Sequence, residues 1–267
     1  MVAPPVTNPP PPLMAHAISH AGRKRSQNED AFGVFVSDRL FIVADGMGGR
    51  SAGEIASHMA VDELSAFFRS FHNDPRQAWP FPVDREKSLG ANLLTVGIRV
   101  ANDKLRIAAE AQRARTKVAT KMACTIVALA VGDNQLSIAH AGDSRAYRFR
   151  EGMLKQLTVD HSILAEMIAA RPDMAEAEIA SFSHRNVVTK AVGSKADVES
   201  TLAIKRFQSG DSYLLCSDGL WGSVKDAEIA DILRSTADLE VACQLLVDAA
   251  NDAGGPDNIT ALIVRVG

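Results

Sequence analysis

The sequence predicts an α+β fold of antiparallel sheets covered by helices, and three observations carry that expectation. Strand-like segments cluster between pairs of helical ones and do not alternate with them one by one. In the middle of the chain the turns between strands are too short to hold crossover helices, which forces antiparallel pairing. The composition is globular, with 46% hydrophobic and 23% charged residues over 267 positions, enough to bury a substantial core.

Residues 1–13 (MVAPPVTNPPPPL) are mostly proline and small residues. They have little to bury and favour extended polyproline II, so a disordered tail is expected. From position 14 to 267 no linker, repeat or low-complexity stretch interrupts the chain, which argues for a single domain. Ala31–Val36 and Leu40–Ala44 read as strands. Ser51 and Glu54 have the spacing of a capping box, and Val61, Leu64, Phe68 and Phe71 follow as the apolar stripe of the helix it would open. A second helix is expected over Leu89–Ala111, with Leu89, Leu93, Val96 and Val100 on one face. Between the two, Asn73–Val83 reads as an irregular loop. Strands follow at Met122–Val131, Gln135–His140, Arg145–Phe149 and Met153–Leu157, then a short helical stretch over 160–182. Strands at Val198–Phe207 and Asp211–Cys216, helices at Lys225–Arg234 and Asp238–Asp252, and a last strand at Asn258–Val266 complete the pattern.

The formal net charge is −3, with both signs interspersed, and no basic stripe argues for nucleic acid or an anionic membrane. No run approaches the roughly 18 apolar residues of a membrane span. The N-terminus lacks the basic-then-apolar order of a signal peptide. Cys124, Cys216 and Cys243 are odd in number and sit in apolar segments without C-x-x-C spacing, as buried reduced thiols do. A cytoplasmic location is the expectation.

Acidic residues recur at the ends of the expected strands: Glu29-Asp30, Asp45-Gly46, Gly142-Asp143, Ser217-Asp218-Gly219 and Pro256-Asp257-Asn258. Each alone is ordinary turn chemistry, since Asp-Gly, Gly-Asp and Pro-Asp-Asn all favour tight turns. As a set they admit a second reading, because a sheet can gather residues distant in sequence at one edge. Phe41-Ile-Val-Ala-Asp45 and Tyr213-Leu-Leu-Cys-Ser-Asp218 are alike, each a buried apolar strand with a carboxylate at its tip. Converging carboxylates would oppose one another's ionisation, and bound cations would remove the conflict. With oxygen donors and no Cys or paired His, such a site prefers magnesium or manganese over zinc.

These residues, in this order, resemble the metal-dependent type 2C serine/threonine protein phosphatases, the PPM family. The matching blocks are Gly22–Asp30, Ala44–Gly49, Ala139–Tyr147, Leu157–Ser162, Arg185-Asn186 with Thr189–Gly193, Ser217–Leu220 and Gly254–Thr260, within a span from His20 to Val266. The resemblance implies a four-layer α/β/β/α sandwich with metals in a cleft at one end of the sheets. It implies two to three manganese or magnesium ions. By motif position, Asp45 would bridge two ions, Asp218 and Asp257 would complete the ligands of one, and Glu29 with the Gly46 carbonyl would serve the other. Asp30 would hold a metal-bound water. Asp143, with Asp218, would match the third, weaker site of bacterial members. Arg25 falls where the family places its phosphate-binding arginine, whose fork suits two phosphate oxygens. The implied chemistry is hydrolysis of phosphoserine and phosphothreonine by a hydroxide bridging two ions.

Departures from the family pattern carry information. Met47 stands where eukaryotic members often have a histidine proposed as general acid; bacterial members also carry methionine there, so a bacterial-type enzyme is implied. His161 is a candidate proton donor, weighed against a structural role at a helix start. Ala123-Cys124-Thr125 replaces a Gly-Thr-Thr, an exchange expected to alter packing and leave Cys124 inert, and His140 is expected to pack within its strand. Residues 161–196 correspond to the flap beside the bacterial active site. Its small and polar residues (Ala165, Ala169, Ser181, Ser183) suggest mobility, and His184 and Arg185 suit either packing or substrate contact. The expected partners are phosphorylated proteins, with a serine/threonine kinase acting on the same targets. A monomeric, free-standing catalytic domain is expected, and Ser19–Arg23 with the compact size is also similar to phosphatases encoded with type VI secretion systems. Two alternatives stay open: a phosphoprotein-binding regulator on the same fold, and a phosphatase for small phosphate esters.

Overall fold

The computed structural model describes residues 10–48, 51–117, 121–175, 178–179, 182–184 and 187–267. Its order begins β1 (Leu13–His20), β2 (Asp30–Phe35), β3 (Leu40–Met47), α1 (Ala52–Asn73) and α2 (Leu89–Thr116). The middle is β4 (Ala123–Cys124), β5 (Ile126–Val131), β6 (Gln135–Ala141), β7 (Arg145–Arg150), β8 (Met153–Gln156) and α3 (Ile163–Ala170). The chain closes with β9 (Thr201–Arg206), β10 (Ser212–Cys216), α4 (Asp218–Trp221), α5 (Asp226–Ser235), α6 (Leu239–Asp252) and β11 (Ile259–Val266).

The strands form two sheets, ordered β1-β11-β10-β7-β8 and β2-β3-β5-β6-β9, with β4 paired to β3. Every named pairing is antiparallel, as the short connections predict. Strand alternation sorts the side chains into three apolar layers. On β3, Leu40, Ile42 and Ala44 pack toward α1 and α2, while Phe41 and Val43 join the cluster between the sheets. On β11, Ile259, Ala261 and Ile263 pack toward α5 and α6, while Leu262, Val264 and Val266 face inward. Three cores between four layers give the α/β/β/α sandwich. Each fully buried Leu, Ile or Phe adds roughly 1.5–3 kcal/mol of transfer free energy.

Several elements differ from the sequence expectation. β1 was not foreseen, and it pairs with β11 over its whole length, from Leu13↔Val266 to His20↔Ile259. The expected tail therefore meets the fold at its end: the Pro11 carbonyl accepts from Arg39, the Pro12 carbonyl accepts from the Gly267 N–H, and Leu13 is in the sheet. Residues 1–9 lie outside the described residues.

The capping box does not form. Ser51 has φ 65° and makes no side-chain cap bond, because a capping hydroxyl needs extended backbone to reach the N–H groups of the first turn. Val61, Leu64, Phe68 and Phe71 are buried as predicted. On α2, Leu89 is 57% exposed at the first position, and Leu94, Ile98, Ala101 and Leu105 carry the core with Leu93. Ser88 caps α2 by accepting from the Ala91 N–H. Of the helical stretch expected over 160–182, the described residues show α3 and residues 178–179, and α3 ends because Arg171 precedes Pro172 and a residue before proline leaves the α conformation. β9 is shorter than Val198–Phe207, and α4 is an unforeseen turn of helix after β10.

Candidate metal centre

Both sheets deliver carboxylates to one end of the sandwich. In the first pair of strands Asp30 and Asp45 stand opposite one another, β2 against β3. Asp143 occupies the β6–β7 turn after Gly142, whose φ of +115° excludes a side chain. From the other sheet Asp218 opens α4 directly after β10, and Asp257 precedes β11. Asp45, Asp143, Asp218, Asp257, Glu29 and Gly46 line a single cavity of about 690 Å³, together with Arg25 and Met47. The structure thus gathers these sequence-predicted residues. Asp30 lies behind the cavity wall, 4% exposed.

Their electrostatics show the strain of that gathering. Burial pushes the Asp45 carboxyl well above the usual range, and Asp30, Asp218, Asp143 and Asp257 push it further. Asp218 is raised to about 6 by burial and then by Asp257. Asp143 is raised to about 7 by burial and by Asp218. Asp30 also rises to about 7, burial outweighing two short hydrogen bonds. The only cation bonded to a cavity acid among the described residues is Arg25, whose Nη2 donates to Asp257 Oδ2 at 2.8 Å. Like charges buried together at this density call for positive charge.

Two atoms point to where that charge would sit. Asp218 Oδ1 and Asp30 Oδ1 are buried without a hydrogen-bond partner in the protein, and both belong to the cluster. At Gly46 an added Cβ would lie 2.1 Å from the Gly53 carbonyl oxygen and 2.6 Å from that of Glu29, so only glycine lets this backbone lie against the site. No three His, Cys, Asp or Glu side chains among the described residues already stand at metal-holding spacing. The acids line an open cavity and not a closed cage. The oxygen-only donor set, the orphaned oxygens and the unbalanced charge fit divalent hard cations.

A supporting shell, unread in the sequence, holds these groups. Ser217 and Thr260 each donate a hydroxyl to Asp30 Oδ2 at 2.6 Å. Asn258 donates through Nδ2 to the Ala21 and Gln27 carbonyls and accepts the Glu29 N–H on Oδ1, clamping the loop before β2 against β11. Its only sequence signal was a turn motif. Thr125 accepts the Asp45 N–H and bonds Ser144 at 2.6 Å. Trp221 donates its indole N–H to the Asp143 carbonyl, and the Arg145 guanidinium lies 3.5 Å above its ring while forking onto Asp160.

His161 is not brought into the cavity. Its Nδ1 accepts the Gly142 N–H, its Nε2 meets Thr201 Oγ1, and its ring stacks on buried His140 at 4.5 Å. Burial and His140 lower its pKa to about 4, so it is neutral and its Nε2–H is directed at Thr201. It precedes Ser162, which caps α3, and this structural placement replaces the proton-donor reading. Cys124, Cys216 and Cys243 are all buried and unpaired. His184 is exposed beside Ser183 Oγ, while Ser181 and Arg185 lie outside the described residues. The flap base is held by Asn102, which accepts the Gly193 N–H and donates to the Lys195 and Ala196 carbonyls. Val187 and Val188 of the flap form an apolar part of the cavity wall.

Comparison with known proteins agrees with this geometry. The protein phosphatase 2C family model matches residues 19–251. A serine/threonine phosphatase, stp, of Listeria innocua is 33% identical over 251 residues, covering 91% of this chain and 92% of that protein. Among solved structures, PppA, described as a regulatory component of the type VI secretion system in Pseudomonas aeruginosa, superposes with a TM-score of 0.77 at 35% identity, covering 96% of this chain and 98% of that chain. The catalytic domain of the serine/threonine protein phosphatase PstP, solved in complex with 2 manganese ions, superposes with a TM-score of 0.77 at 29% identity, covering 95% and 98%.

Proposed function

The chain belongs to the protein phosphatase 2C family, and from that premise we propose that its carboxylate cavity is where phosphoserine and phosphothreonine are hydrolysed. The protein is a metal-dependent serine/threonine protein phosphatase of the bacterial type. The observation that carries the site assignment is the meeting of Asp45 and Asp218, delivered from different sheets, in the wall of one cavity.

Asp45, Asp218 and Asp257, with Glu29 and the Gly46 carbonyl, would hold two cations, and Asp143 with Asp218 a third. When bound, such cations balance the clustered charge and bring the proton loss of a water toward neutral pH. Arg25, one bond away from Asp257, turns its fork to the phosphate oxygens and holds the ester in line. Asp30, with Oδ2 saturated by Ser217 and Thr260, offers Oδ1 to the attacking water. Met47 has no proton to give and His161 is engaged elsewhere, so solvent protonates the leaving alkoxide.

The catalytic domain spans 14–267 with residues 161–196 as its flap, and the enzyme acts as a monomer. Its antagonist is a serine/threonine kinase sharing its targets. A type VI secretion pathway is the setting that the likeness to PppA favours. Among the described residues no helix is long and apolar enough to cross a membrane, and the buried unpaired cysteines suit the cytoplasm. Phosphate release from a phosphothreonine peptide in the presence of manganese tests the function. Steady turnover is expected; an inert protein would reduce it to a phosphoprotein-binding module on the same fold.

A further inference from the structure

The cavity carries a second cation that the site described above does not use. Lys121 lines it, lies at the exposed rim just before β4, and finds no carboxylate partner among the described residues. Arg25 differs, being bonded to Asp257. The Lys121 backbone is fixed against the loop that carries Asp45: a Cβ on Gly48 would lie 2.0 Å from the Lys121 carbonyl oxygen. Its four-carbon stem therefore starts from backbone packed against that loop, on the cavity that the flap residues Val187 and Val188 also line.

We infer that Lys121 is a specificity-determining residue that selects phosphopeptides bearing an acidic side chain beside the phosphorylated residue. This rests on the phosphatase reading and deepens it. The phosphate is taken by the metal-binding acids' cations and by Arg25, which leaves Lys121 without a counter-charge in the substrate unless the flanking sequence supplies one. An ammonium on a four-carbon stem suits that task, because it accepts a flanking carboxylate over a range of positions, where a fixed fork would demand one. An acidic flank would be repelled by the bare carboxylate cluster but not by the loaded one, so selectivity and loading go together.

The test measures kcat and KM of the manganese-loaded full chain on matched phosphothreonine peptides carrying Glu, Ala or Lys beside the phosphoresidue, and on p-nitrophenyl phosphate. The wild type should favour the Glu peptide over the Ala peptide by roughly threefold to fivefold, the scale of one exposed ion pair. Lys121→Ala should erase the difference through KM, Lys121→Glu should reverse it, and Lys121→Arg should retain it. Turnover of p-nitrophenyl phosphate should stay unchanged in all three variants. The wild-type preference should fade toward 1 M salt, where the screening length falls to about 3 Å. A Glu preference that survives in Lys121→Ala would overturn the inference, and so would an equal loss on p-nitrophenyl phosphate, which would place Lys121 on the phosphate itself. Active enzyme without a Glu preference sinks this inference alone; a protein inert on every phosphopeptide sinks the phosphatase reading and the inference with it.

Discussion

Asp218→Asn should lower phosphopeptide turnover by at least about a thousandfold while leaving a folded protein, because it removes a ligand from the centre and a charge from the cluster at once. The stability change should have the opposite sign to the activity change. Burial and Asp257 raise the Asp218 carboxyl to about 6 in the folded chain, against 3.8 for the free side chain. A folded value above the unfolded one means that the folded state holds more protons. The stability this brings is present below about pH 4 and is lost as pH rises through the folded values of about 6 to 7 for Asp218, Asp30 and Asp143. At pH 8 the metal-free wild type is therefore held back by its own site. Asn at 218 should raise its stability there by about 3 kcal/mol, given that one pKa unit is worth about 1.4 kcal/mol. Chemical denaturation of metal-free protein at pH 5 and pH 8 checks both sign and window. A variant that is slow because it is less stable would contradict the assignment.

Metal removal is the second large effect. Chelation should take phosphothreonine turnover below about one per cent of its starting rate, and manganese should restore it. The same addition should stabilise the fold, since a ligand that binds only the folded state adds about 2.7 kcal/mol at a hundred times its dissociation constant. Thermal melting with and without manganese reads this, and turnover that resists chelation would refute the two-cation chemistry.

Much of this was legible in the residues. Asp45 and Asp218 announced themselves because each comes at the end of a short apolar run, Leu40–Ala44 and Tyr213–Cys216, a context in which a carboxylate must be paired, neutralised or functional. The antiparallel order followed from turn lengths, whereas the four layers came only from the family resemblance, because β3 and β11 are apolar on both faces and do not show in sequence which face meets which layer. β1 escaped because its sequence, LMAHAISH, carries little β-branching, and its strand state comes from pairing with β11 at a separation no local signal reports. Asn258 read as a turn residue because its three bonds go to segments more than two hundred positions away. Ser51 and Glu54 had capping-box spacing, but the left-handed backbone at Ser51 overrode it. His161 looked available for proton transfer until the Gly142 amide and Thr201 were seen to occupy its nitrogens.

The central claim is that separate carboxylates close around divalent cations at one end of the sandwich. Anomalous scattering at the manganese edge, from crystals grown with manganese, measures this directly. Peaks bonded to both Asp45 and Asp218, with Asp257 on one of them, are the predicted result. A cavity without anomalous density while manganese binds elsewhere on the protein would contradict it.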